Sequence, residues 1–206
     1  MGIARTLRPR RTLAAGALIA TAALTVGCAG TDTADQRSTA TGSPTAAEAA
    51  RPFGPACAKV PASGPGSVAD MANQPVATAA ARNPLLSTLA TAVGKAGLTD
   101  TLNRAEALTV FAPTNDAFAK IPPATLNKVL ADKKTLTSIL TYHVVGARHT
   151  PADLEDGRFK TLQGGTLTTA KKGETYTVNG ARVVCGNVQT RNATVYLIDT
   201  VLMPKS

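Results

Sequence analysis

Apolar residues recur at helical spacing through the first half of the chain and as short β-prone runs through the second. Ser67 is placed to cap a short helix through Met71, and Val76 to Arg82 continues it. Asn83-Pro84 is a start signal, an N-cap followed by proline at the first helical position. Leu85, Leu86, Leu89, Val93 and Ala96 then repeat at helical spacing, and Gly97 sits where a terminating glycine belongs. Leu108 to Ala112 predicts a short strand that Pro113 ends, with Thr114 or Asn115 capping a helical turn over Asp116 to Lys120. Two further helices are predicted over Ala124 to Ala131 and Lys133 to Leu140.

From Tyr142 the pattern changes. Tyr142 to Val145, Arg158 to Leu162, Thr166 to Thr169, Thr175 to Val178, Arg182 to Cys185 and Thr194 to Ile198 are β-branched or alternating. Glycines punctuate them, and Asn179-Gly180 between two such runs predicts a two-residue hairpin. Helices first and strands afterwards give an α+β fold.

The amino-terminal residues read as an address rather than a fold. Arg5, Arg8, Arg10 and Arg11 form a cationic start without an acid, and Leu13 to Gly27 is an uncharged stretch. It is shorter than the roughly 20 residues that a bilayer-spanning helix needs. Leu24-Thr25-Val26-Gly27-Cys28 resembles a bacterial lipobox, whose cysteine is diacylated and becomes the new amino-terminus. The usual leucine three positions before the cysteine is Thr25 here, and an ordinary secretory signal is the alternative. The expected organisation is a lipoprotein signal peptide over 1–27, a linker over 28–56 and one folded domain over 57–206. The linker is rich in Thr, Ser, Ala and Pro, too poor in large apolar residues to fold. Its threonines, Thr39 and Thr41 among them, could accept O-linked sugar, and as a coil it would reach roughly 25–30 Å. Two acyl chains hold a protein at a membrane stably where one does not, so a lipidated Cys28 implies the outer face of the cytoplasmic membrane as its location.

Charge and cysteines narrow the partners. The formal net charge is +9, and four of those positive charges are the arginines of the signal. With no Trp and 3% aromatic residues, stacking platforms for bases are scarce and nucleic-acid binding is disfavoured. With Cys28 assigned to lipid, Cys57 and Cys185 remain as an even pair in an oxidising setting, either bridged or as two buried thiols.

Catalytic and metal chemistry is sparse. His143 and His149 are the only histidines, with no matching Cys or acid spacing for a metal site. His143, in an apolar run, is expected to be a buried polar group satisfied by a backbone partner. No nucleophile elbow, zinc-protease helix or P-loop motif occurs. Gly64-Pro65-Gly66-Ser67 lacks a preceding strand, and Asp153, Glu155 and Asp156 surround a turn. The expectation is a protein that is not an enzyme and uses no cofactor and no metal.

The segments in this order resemble the fasciclin domain. Thr109-Val110-Phe111-Ala112-Pro113-Thr114-Asn115-Asp116-Ala117-Phe118 matches the family's first motif, and Tyr142-His143 its central pair. Ala193 to Pro204 is similar to the second motif, which closes the domain with Asp199 and Val201-Leu202-Met203-Pro204. Closer still, the segments around Gly64 to Leu89, Ser138 to Val145 and Ala193 to Pro204 resemble the mycobacterial surface lipoprotein antigens of this family, which share a cysteine pair placed like Cys57 and Cys185. The resemblance implies a wedge of helices packed on a β-sandwich, acting in adhesion or matrix contact. In other fasciclin domains the Tyr-His region is implicated in integrin contact. Tyr142 and His143 are thus the candidate partner-contact residues, whereas Asn127 to Leu130 is only a loose relative of the nearby Asp-Ile-type segments implicated with it. A host-matrix, cell-surface or envelope protein is the expected partner. The alternative is a protein that captures a small lipid or glycan in a cleft.

Overall fold

The structure is a computed structural model, and it describes residues 51–204. Seven α-helices and seven strands occur among them: α1 (Val68–Ala72), α2 (Val76–Arg82), α3 (Ser87–Ala96), α4 (Thr99–Arg104), α5 (Asn115–Ala119), α6 (Pro123–Ala131) and α7 (Lys133–Tyr142). The strands are β1 (Leu108–Pro113), β2 (Val144–Val145), β3 (Arg158–Lys160), β4 (Thr166–Lys172), β5 (Thr175–Val178), β6 (Ala181–Gln189) and β7 (Ala193–Ile198).

Helix boundaries follow from side-chain chemistry. Ser67 caps α1 by accepting from Asp70 N, and Asn83 accepts from Leu85 N to start a 3-10 turn over Pro84–Leu86 that leads into α3. Gly97 ends α3 in the left-handed conformation, φ 74°, with its own N–H bonded to Gly94 and that of Leu98 to Val93. Thr114, not Asn115, caps α5. Asn115 instead reaches α3, accepting from Thr88 N at 3.0 Å and donating to Pro84 O at 2.8 Å.

The strands form one sheet in the order β2-β1-β7-β6-β5-β4-β3, with β1 parallel to β7 and the other pairs antiparallel. An antiparallel bridge between Val145 and Thr161 joins its two ends, so the sheet curls almost into a barrel. The two faces of the sandwich are therefore halves of one curled sheet. Strands β1 and β7 are buried along their whole length. Leu108, Val110, Ala112, Val195 and Leu197 pack with the helices, while Phe111, Tyr196 and Ile198 fill the barrel with Leu154, Leu167, Val178 and Val183. Burial on both faces explains why these segments read as continuous apolar runs rather than alternating ones.

The Asn179-Gly180 turn joins β5 to β6 with both residues at positive φ, 47° and 87°, the backbone a tight two-residue hairpin requires. Cys57 and Cys185 are joined by a disulfide that ties a 3-10 turn over Pro55–Lys59 to β6 across 128 positions. Packing begins before the expected domain boundary at Cys57. Phe53 exchanges backbone bonds with Gly186 and tilts its ring onto Tyr176 at 4.9 Å. Gly186 is required there, because a Cβ would meet the Phe53 ring at 2.3 Å.

Asn192 fastens the helices to the sheet. Its side chain accepts from Val76 N at 2.9 Å and donates to Leu102 O and Ala105 O at 2.8 and 2.7 Å. Replacing Asn192 with Ala strips partners from three part-buried backbone groups. The expected loss is about 2 kcal/mol in urea denaturation, and an unchanged midpoint would contradict it.

Candidate functional site: a neutral groove beside the carboxy-terminal strap

The Tyr142-His143 pair lies at a helix end, not in a strand. Tyr142 is the last residue of α7, His143 is its C-cap with φ −81° and ψ −3°, and only Val144–Val145 pairs with β1. Helix α7 starts at an Asp132 cap and continues past Leu140, with Leu136, Ile139 and Leu140 buried against the other helices and Tyr142 buried in the barrel.

His143 is 2% exposed and bonded at both ring nitrogens. A carbonyl can only accept, so Nδ1 carries the hydrogen and donates to Ile139 O at 2.8 Å. The bare Nε2 accepts the N–H of Leu202 at 3.0 Å. Burial pushes the imidazole from 6.5 down to about 4, against a smaller opposing effect of the Ile139 carbonyl. His143 is thus a neutral clasp that fastens the strap Val201 to Pro204 onto the end of α7.

Tyr142 is 5% exposed, and its phenol faces the opposite way. It donates to Thr166 O at 3.1 Å and accepts from Asn179 Nδ2 at 2.9 Å. Asn179 in turn accepts from Thr168 N at 2.9 Å, so the hairpin, β4 and α7 share one network. Gly165 lies flat on the Tyr142 ring, since a Cβ there would approach it to 2.8 Å.

Between this network and the strap runs a groove of about 710 Å³. Tyr142, Gln163, Thr166, Thr168, Asn179 and Thr200 supply its polar groups, and Ala181, Val201, Leu202, Met203 and Pro204 its apolar ones. No side chain lining it is charged at neutral pH. Such a surface can bind through hydrogen bonds and apolar contact. It offers no ionised general acid or base.

Other candidates are satisfied locally. Asp153 takes the Thr150 N–H at 2.7 Å and the Thr150 hydroxyl at 2.9 Å, which hold its carboxyl below the usual range, and Glu155 pairs with Lys171. His149 packs its ring 4.1 Å from Phe159, and partial burial lowers its pKa despite the Asp153 charge. A cleft of about 420 Å³ beside the disulfide has the Lys120–Asp199 ion pair on its wall, at 3.2 Å. Among the described residues no group of three His, Cys, Asp or Glu side chains is placed to hold a metal ion. Two buried apolar cavities hold only about 20 and 30 Å³.

Of the residues singled out from sequence, Tyr142 lines the groove and His143 braces its far wall. Cys57 and Cys185 lie elsewhere, and Cys28 falls outside the described residues. Asn127 and Lys128 are exposed on α6, while Val129 and Leu130 pack toward the core. The groove's own polar residues Gln163, Thr166 and Thr168 carried no signal in the sequence. Asn179 was legible only as a turn residue.

A model of the fasciclin domain family matches residues 84–204. The chain belongs to the fasciclin domain family. It is 49% identical to the cell surface glycolipoprotein MPB83 of Mycobacterium bovis, over 93% of this chain and 94% of that one. The immunogenic protein MPB70 of the same species is 48% identical over 73% of this chain and 81% of its own length. Among solved structures, a FAS1 domain pair from the insect cell adhesion molecule fasciclin I superposes with a TM-score of 0.56 at 18% identity. That match covers 66% of this chain and about half, 52%, of the domain pair, and it shows the shared fold. The fasciclin fold accounts for the two motifs as scaffold. The first supplies β1 and the cap and turn of α5, and the second supplies β7 and the strap.

Proposed function

We propose that this chain is a lipid-anchored cell-surface protein whose fasciclin domain acts in adhesion or protein contact and performs no catalysis. The observation that carries the reading is the 49% identity, along nearly the whole of both chains, to a cell surface glycolipoprotein. The lipobox-like segment ending at Cys28 supports the anchor, with a signal over 1–27 and a spacer after it. The location is then the outer face of the cytoplasmic membrane or the cell envelope. The groove between Tyr142 and the strap supports a contact role, because Gln163, Thr166 and Thr168 line it as exposed polar residues and none of its side chains is charged. One point weighs against a small lipid enclosed in the core: the buried apolar cavities of about 20 and 30 Å³ are far below the roughly 300 Å³ at which ligand pockets begin.

The test is direct binding of the mature chain to a panel of matrix proteins, host-cell surface proteins and envelope polymers. Micromolar binding to at least one protein of the panel is expected. Absence of binding to every component at that concentration contradicts the proposal.

A further inference from the structure

We infer that the groove beside the strap receives an extended, uncharged peptide segment, which adds alongside Val201–Pro204 as a short extra strand. The inference rests on the contact function proposed above and names the class of partner for the same site.

Three observations carry it. The first is the strap's backbone. Val201–Pro204 lies outside every helix and ladder, and Leu202 turns its N–H inward to His143 Nε2. Alternation along an extended chain then places the polar groups of Val201 and Met203 on the other side. Neither residue makes a backbone hydrogen bond to any described residue. Unpaired strand-like backbone held rigidly by its neighbour is the template for strand addition. Here the rigidity comes from the His143 clasp and from the burial of Val201 and Leu202, 9% and 4% exposed.

The second is the opposite wall. The hydroxyls of Thr166 and Thr168 and the side-chain nitrogen of Gln163 have no hydrogen-bond partner among the described residues. They stand ready for the other edge of a bound peptide. Met203, 46% exposed and one of two large apolar side chains so exposed among the described residues, offers contact to an apolar side chain of that peptide.

The third is charge. The chain is basic overall, yet the groove carries no charged side chain. A charged residue entering it would lose hydration without gaining a partner, so the fitting segment is uncharged. A sugar fits less well, because the one aromatic ring in the lining, Tyr142, is 5% exposed and offers no stacking face.

The experiment pans a phage-displayed heptapeptide library on the full mature chain, then measures binding of the selected synthetic peptides and maps them by amide chemical shifts. Selected peptides should be uncharged and shift Val201, Met203, Thr168 and Asn179. Alternate N-methylation, which removes the N–H groups of one peptide edge, should weaken them at least tenfold in one register and little in the other. Met203→Pro, which deletes a strap N–H, and Thr168→Lys, which places a charge on an exposed groove position, should each weaken binding tenfold or more. The second variant leaves the strap intact, so it decides the matter if the first perturbs the fold. Selected peptides that are charged, that shift residues elsewhere, or that tolerate both variants overturn the inference. So does groove binding by neutral oligosaccharides when no peptide is selected. If no peptide binds but the chain still captures a matrix or envelope protein, the inference fails and the proposed function stands. If neither binds, both fail.

Discussion

Reduction of the Cys57–Cys185 disulfide is expected to lower the unfolding free energy by about 5 kcal/mol. The bridge closes a loop of 128 residues, and removing so long a constraint returns about 5 kcal/mol of loop-closure entropy to the unfolded chain. Native domains hold only roughly 5–15 kcal/mol in total, so the reduced protein should sit close to its folding threshold. The effect is accessible because Cys57 is only partly buried, although Cys185 is fully enclosed in β6. Guanidinium denaturation with and without a reductant gives the measurement, with the double variant Cys57→Ala, Cys185→Ala as a check. The expected result is a large fall in midpoint. Equal midpoints, or two free thiols titrating in the unreduced denatured chain, would contradict it.

The second large effect comes from acid. His143 titrates at about 4 in the folded protein, whereas an exposed imidazole titrates at 6.5. Between those values the unfolded chain holds a proton that the folded chain refuses, so stability falls as pH falls. The contribution is complete above about pH 6.5, is lost through the window down to about 4, and levels off below it. Its full size is roughly 3 kcal/mol. The lowered pKa of His149 acts in the same direction, so the comparison that isolates His143 is wild type against His143→Gln. Glutamine can offer both an N–H to Ile139 and an oxygen to Leu202 but does not titrate. The variant's stability should therefore be much flatter between pH 6.5 and 4. Parallel pH profiles for the two proteins would sink the assignment.

Features written in adjacent residues were legible in the sequence. Asn83-Pro84, Gly97 and Asn179-Gly180 act within a few positions of themselves, and each stands where its chemistry placed it. The first motif predicted β1 and its stop at Pro113. What escaped depends on distant partners. Helix α4 buries only Leu102 and has no side-chain cap, so nothing in its own residues announces it. The β-branched Val144-Val145 predict a strand that takes in Tyr142-His143. In the fold, contacts of Tyr142 with Thr166 and of His143 with Leu202, 24 and 59 positions away, hold the helix to its end. Phe53 looked like linker because its partners, Tyr176 and Gly186, lie more than a hundred residues on. The groove is the extreme case. It takes residues from α7, the loop before β4, the hairpin and the strap, and only Tyr142 among them stood out beforehand as a candidate contact.

Everything proposed about place and role depends on where the mature chain begins and what it carries there. Mass spectrometry of the amino-terminal peptide from the exported protein, beside a Cys28→Ala variant, tests that most directly. The expected result is a chain starting at Cys28 with a diacylglyceryl modification in the membrane fraction, and loss of both modification and retention in the variant. A wild-type chain that starts at an unmodified residue other than Cys28 and is freely released would contradict it.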